Sequence, residues 1–100
     1  MIKVYDKAQW HIDSGENPEK VVAKMKAVFA FLESKGFLEV EGKEIVELGI
    51  DSSVSLHERM VTDAGKQFME TCYDKVIDKS AEEILEALEQ EYQILCGSNS

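Results

Sequence analysis

The candidate metal ligands and nucleophiles in this 100-residue sequence are His11, Asp13, His57, Glu58, Cys72 and Cys96. Spaced as His-x-Asp, His11 and Asp13 would share one face of a strand and offer two ligands, which His57 would have to complete. His57 and Glu58 are adjacent and would face different ways. No C-x-x-C, H-E-x-x-H or calcium-loop spacing occurs. The commoner role for such histidines is hydrogen bonding at a half-buried surface. A nucleophile could be assembled from Cys72 with His57 or His11. However, a reactive thiol needs an electropositive, partly open setting. Cys72 falls on an apolar helical stripe among acids, where burial and negative neighbours both raise its pKa. Gly42-Lys43 and Gly65-Lys66 are followed by Glu44 and Gln67, not by the Ser or Thr of a phosphate loop, and no G-x-G-x-x-G or G-x-S-x-G is present. The residues therefore imply no enzyme and no cofactor. A small metal-assisted enzyme using His11, Asp13 and His57 is the least favoured alternative.

Charge is the stronger signal. Residues 1–40 carry six acids and six bases, residues 41–69 six and three, and residues 70–100 eight and two, for a net charge of −9. Within 80–95 there are five glutamates, Glu82, Glu83, Glu86, Glu89 and Glu91, and no Lys or Arg. A solvated helix face usually mixes Glu with Lys. An unbalanced one repels phosphate backbones and attracts basic surfaces. The expected partner is a basic protein, with no nucleic acid and no membrane. Trp10, the only tryptophan, is a further candidate contact, although a core anchor is the commoner use of such a residue. No apolar run approaches the roughly 20 residues of a membrane span. The N-terminus has no signal-peptide pattern, and two cysteines are too few for a secreted disulfide scaffold. A reduced, cytoplasmic setting is expected.

The elements that must position these residues follow from periodicity. Ile2, Val4, Trp10 and Ile12 fall on even positions, which predicts two short strands at 2–5 and 9–13, or one bent strand. Asn17-Pro18 is a helix start and Gly36 a helix stop. Between them Val21, Val22, Met25, Val28, Phe29 and Leu32 form the inner stripe, and Lys20, Lys24 and Lys26 the outer face. A short helix is expected at about 41–48, with Ile45, Val46 and Leu48 inward, ended by Gly49. Residues 50–61 are ambiguous. Val54, Leu56 and Met60 share strand parity, yet Ser55-x-x-Glu58 is a capping box that favours a short helix at 55–61. Thr62 caps a helix over 63–79 with the stripe Phe68, Met69, Cys72, Tyr73, Val76 and Ile77. Ser80-x-x-Glu83 starts a last helix at 80–95, whose apolar stripe also permits self-association. Gly42-Lys43-Glu44-Ile45-Val46-Glu47 echoes Gly65-Lys66-Gln67-Phe68-Met69-Glu70 at an offset of 23, a pattern common enough at helix starts to need no repeat.

The sum is a mostly α-helical α+β domain over 1–96 with a flexible tail at 97–100. Three main helices and one or two short ones pack with a small N-terminal β element. The leading functional expectation is a non-enzymatic binding domain, of the kind used by bacterial immunity proteins and phage inhibitors to neutralise a basic partner. The alternative is a regulatory module. The stretch Met60-Val61-Thr62-Asp63-Ala64-Gly65-Lys66-Gln67-Phe68 resembles the L-T-x-x-G-K lead-in to a helix in winged-helix regulators. That resemblance implies a helix-turn-helix followed by a β-hairpin wing. Against a DNA-reading version, the only Arg is Arg59, and the lysines at 20, 24, 26 and 35 suffice only for a solvated face.

Overall fold

The computed structural model describes residues 2–97, ordered β1 (Val4–Lys7), α1 (Ala8–Asp13), α2 (Pro18–Ser34), α3 (Val40–Leu48), β2 (Ser55–His57), α4 (Asp63–Cys72) and α5 (Ala81–Gly97). Two 3-10 turns follow β2 and α4, at Glu58–Met60 and Tyr73–Lys75. The mostly helical α+β architecture forms as expected, with β1 and β2 paired antiparallel as its one small sheet. Beyond Gly97 the expected tail lies outside the described residues, as does the Cys96 side chain.

Local chemistry explains the helix ends. Asn17 Oδ1 accepts from the backbone N–H of Glu19 at 2.8 Å and of Lys20 at 3.3 Å, which caps α2. At the other end Gly36, with φ of 72°, lets its own N–H reach the Glu33 carbonyl and the Phe37 N–H reach that of Leu32. This closes the helix with the paired bonds of a Schellman motif. Thr62 Oγ1 accepts from Gly65 N–H at 3.1 Å and starts α4.

Three elements differ from the sequence reading. Residues 9–13 form the helix α1, not a strand. The pair Ala8 and Ile12 fits an i, i+4 step as well as strand parity, and the Ala8 N–H leaves β1 to bond the Val54 carbonyl. Residues 55–61 are not a helix. Leu56 is fully buried opposite Asp6, and this pairing outweighs the capping box, with only the 3-10 turn following it. The helix expected to reach 79 ends at Cys72, and Tyr73 and Val76 are buried from the tighter turn that follows. An i, i+3 step suits 3-10 and α geometry alike, so the stripe concealed the change.

α2 lies at the centre and packs most extensively on α5. Phe31, Phe37, Phe68 and Tyr92 cluster between α2, α4 and α5 with ring centroids 5.2–6.3 Å apart. Lys35 closes this cluster, its ammonium 4.5 Å from the Tyr92 centroid and 3.1 Å from the Glu89 carboxylate.

The echo at offset 23 has a structural counterpart. Leu38 and Val61, themselves 23 apart, form an antiparallel bridge between the lead-ins to α3 and α4. The Glu39 N–H donates to the Met60 carbonyl at 2.8 Å, and the Thr62 N–H to the Phe37 carbonyl at 2.7 Å. Each echoed glycine packs over the opposite lead-in, Gly42 on the Met60 carbonyl and Gly65 on the Phe37 carbonyl. Every one of these contacts maps onto its mate by the same offset. The two segments therefore meet about a local pseudo-two-fold axis, and the glycines recur because backbone approaches backbone there.

Candidate protein-binding surface

The acidic helix is positioned by its inner face. Ile84 and Leu88 are fully buried against the core, which turns Glu82, Glu83 and Glu86 outward on α5. Core packing thus uses Ile84 and Leu88 of the apolar stripe, whereas Leu85, expected on the same inner side, is 44% exposed. Ser80 and Glu83 do meet at the start of α5, but side chain to side chain, Ser80 Oγ donating to Glu83 Oε1 at 3.2 Å while the Glu83 N–H goes to the Ser80 carbonyl, so the expected capping box is replaced by this contact.

The five glutamates do not act alike. Glu89 pairs with Lys35, which comes from the end of α2. Glu91 lies seven residues after Ile84 and three after Leu88, on the inner side of the helix, and pairs with Lys75 at 3.5 Å. Among the described residues ion pairs reach Glu89 and Glu91 but not Glu82, Glu83 or Glu86. The face without an ion pair is the first half of α5, where Lys79 lines a shallow depression together with Glu83 and Glu86. Trp10 is on α1, not on a strand, and at 49% exposure it is not a core anchor.

The metal candidates are held apart. His11 and Asp13 sit on helix α1, where two residues span over half a turn, so they do not share a face. Asp13 Oδ1 instead accepts from Gln9 Nε2 at 2.7 Å. His57 Nε2 lies 3.1 Å from Glu41, and its Nδ1 accepts from the Arg59 N–H, which fits a neutral ring protonated at Nε2. Among the described residues no group of three His, Cys, Asp or Glu side chains is arranged to hold a metal ion. Cys72 is a buried free thiol whose pKa is raised by burial first and by Glu91 second, against a smaller opposing effect of Lys75.

The sequence reading missed a buried polar network. Residue 5 is the extra residue of a β-bulge, because Val4 faces His57 while Asp6 faces Leu56. The bulge turns both Tyr5 and Asp6 inward. Asp6 is inaccessible to solvent. Its Oδ2 accepts from the Tyr73 hydroxyl at 2.6 Å, and its Oδ1 lies 2.8 Å from both His11 Nε2 and the Lys7 N–H. The other ring nitrogen of His11 lies 2.9 Å from Glu16, and only a ring with two N–H groups can donate to both carboxylates. Lys24, assigned above to the outer face, is 2% exposed and donates to the Ile77 carbonyl. Its spacing gives this away, three residues after Val21 and four before Val28. Burial lowers its pKa, opposed by the charges of Asp6, Glu16 and Asp78. Among the described residues every buried side-chain nitrogen and oxygen has a partner, so this network is fully engaged in holding β1, α1 and α2 to the Tyr73 turn.

Tyr73 in this network, and Tyr5 beside it, whose hydroxyl donates to Glu70 at 3.3 Å, give the fold a pH signature. Burial, then Glu70, pushes Tyr5 up to about 12, and burial, then Asp6, raises Tyr73 well above its usual value. Unfolded tyrosines titrate near ~10, so the folded chain holds both protons more tightly. This stability is fully present below the unfolded value and is lost as pH rises through the folded ones. Lys24 acts in the opposite sense: its burial penalty is relieved as pH climbs toward the ordinary lysine value, and above that it no longer offsets the tyrosines. Urea midpoints should therefore fall between pH ~10 and ~12, and fall less steeply in Tyr5→Phe. Parallel profiles for the two proteins would refute the assignment.

Among the described residues the expected β-hairpin wing does not appear. β1 and β2 are separated by α1, α2 and α3, and among the described residues α4 is followed by a 3-10 turn and α5. The Met60–Phe68 lead-in is accounted for by the Thr62 cap and the pseudo-two-fold contact. Among the described residues no helix is long and apolar enough to cross a membrane. Comparisons with protein-family models, with curated proteins and with solved structures give no match for this chain.

Proposed function

We propose that this chain is a non-catalytic binding domain that offers the first half of α5 to a basic protein partner. The observation that carries the reading is the triplet Glu82, Glu83 and Glu86, exposed on one helix and without an ion pair among the described residues, with Lys79 the one base lining the same depression. Such a face raises the encounter rate with a cationic surface and discriminates against acidic ones. By analogy of size and charge, the domain would act as immunity-type or phage-encoded inhibitors do, by covering the basic active site of a toxin or nuclease. Glu89 and Glu91 support the scaffold in this reading, and Trp10, exposed on α1, is a separate candidate contact. A reducing, cytoplasmic setting is part of the proposal and is supported by the free thiol of Cys72.

The test is retention of basic proteins on the immobilised chain at low and at high salt, with mass-spectrometric identification. Retention should fall with salt. Glu82→Lys/Glu83→Lys/Glu86→Lys should weaken binding to the identified partner by roughly tenfold or more, at about 0.5–1 kcal/mol per rim charge. A partner held equally at both salt concentrations, or equally by the triple variant, would overturn the proposal.

A further inference from the structure

We propose that α3 forms a second docking face that receives a cationic amphipathic helix of the partner. This rests on the reading above, that the chain binds a basic protein, and adds a separate place and chemistry for the contact.

Among the described residues, the two most exposed large apolar side chains are Val40 at 71% and Leu48 at 83%. A single exposed apolar residue needs no explanation. These two, however, lie eight residues apart on one helix, roughly 12 Å along its axis and within about 80° around it. Glu44 falls between them. Behind this stripe α3 is thinly attached: Gly42 is its only buried residue, and Ile45 and Val46 are half-buried. Two clefts flank the C-terminal end of α3. Ile45, Val54 and Met60 line one, and Phe29, Val46 and Ile50 line the other, so Leu48 stands between two partly apolar depressions.

Charge selects the occupant. Glu44 and Glu47 border the Val40–Leu48 stripe and have no ion pair among the described residues, and Asp51 lies just beyond. Lys43 stands roughly 60° around the helix from Val40 and 140° from Leu48, so the anionic part of the face is its Leu48 end, with Glu44, Glu47 and Asp51. A second copy of this chain docked symmetrically would set these carboxylates against their own counterparts. A helix with apolar residues at i, i+3, i+4 and i+7 flanked by Lys or Arg satisfies both parts of the face. The site is distinct from the α5 face. α2 meets α3 through Lys26, Phe29, Ala30 and Glu33, and meets the α5 side through Lys24, Phe31 and Lys35, roughly half a turn around the helix.

The probe is a synthetic helical peptide with a Leu stripe and Lys elsewhere, titrated into the full chain labelled with ¹⁵N. Amides of residues 40–51 should shift, and Val40→Ser/Leu48→Ser should weaken binding at least tenfold. Both positions are exposed, so the variant should keep the wild-type circular dichroism. Shifts confined to 82–90 would overturn the α3 site and leave the acidic α5 reading standing. An absence of shifts at both places would overturn both. Equal binding by the double variant, or by a peptide with Ala replacing Leu, would show that the apolar pair plays no part and overturn the inference. So would a concentration-dependent dimer seated on the same residues.

Discussion

Asp6→Ala should unfold this protein under conditions in which the native chain is stable. The carboxylate is inaccessible to solvent and takes hydrogen bonds from the Tyr73 hydroxyl and the Lys7 N–H while facing His11 Nε2. Its charge is also the foremost influence keeping Lys24 protonated in a desolvated position. Removing it leaves a buried hydroxyl without its acceptor and His11 without the buried carboxylate it pairs with, and leaves the Lys24 ammonium only Glu16 and Asp78 as countercharges. Breaking a buried pair from one side costs about 3–5 kcal/mol, against a total of about 5–15 kcal/mol for a domain. At about 4–8 °C per kcal/mol for a chain of this size, the melting temperature should fall by roughly 15–30 °C. Asp6→Asn keeps an acceptor for one neighbour and should cost about 1–3 kcal/mol. His11→Ala, on the wetter side of the network, should cost less than Asp6→Ala. Urea unfolding of the three variants gives the order, and an Asp6→Ala loss below about 1 kcal/mol would show that the network is not what joins the two ends of the chain.

That network also marks where the sequence stopped being legible. Elements announced by their own ends were readable: Asn17-Pro18 and Gly36 bracket α2, Thr62 opens α4, and Gly49 closes α3. These signals are local, because a cap is a bond between residues two or three apart. Asp6 could not be placed inside from its neighbours. Strand parity gives adjacent residues opposite faces, and only a bulge created by a partner 50 residues away turns both Tyr5 and Asp6 inward. Lys24 was partly readable, since spacing put it on the apolar stripe, but its charge argued louder than its position. The acidic helix divides in the same manner. Composition gave its sign, but which glutamates stay unpaired depends on Lys35 and Lys75, brought over by tertiary packing. Leu48, expected inward with Ile45 and Val46, is instead 83% exposed, and like Val40 it carried no sequence signal of exposure, because an apolar residue on a short helix is expected to face the core.

The pseudo-two-fold contact yields the second large effect. Alanine in a helix interior normally gains about 1 kcal/mol over glycine. At Gly42 the sign should reverse: a Cβ there would stand 2.6 Å from the Met60 carbonyl oxygen and 2.9 Å from Leu38 Cδ2. The carbonyl is backbone, and it is already the acceptor for the Glu39 N–H, so it cannot yield without opening the bridge. Overpacking of this kind costs about 1–3 kcal/mol net, sometimes more. Gly65→Ala meets the equivalent Phe37 carbonyl at 2.9 Å and should be milder. Because both glycines press on the same pair of lead-ins, the first substitution forces apart what the second would have strained. The double variant should therefore fall short of the sum of the single losses by about 1 kcal/mol, the coupling expected of residues that share a contact. Strict additivity in urea unfolding would mean that the two seats relax independently. Hydrogen exchange adds a spatial reading. In Gly42→Ala the amides of α3 should lose protection before those of α2, since α3 is tied down mainly at that glycine. The same variant should then disorder the Val40–Leu48 face while leaving the α5 carboxylates in place.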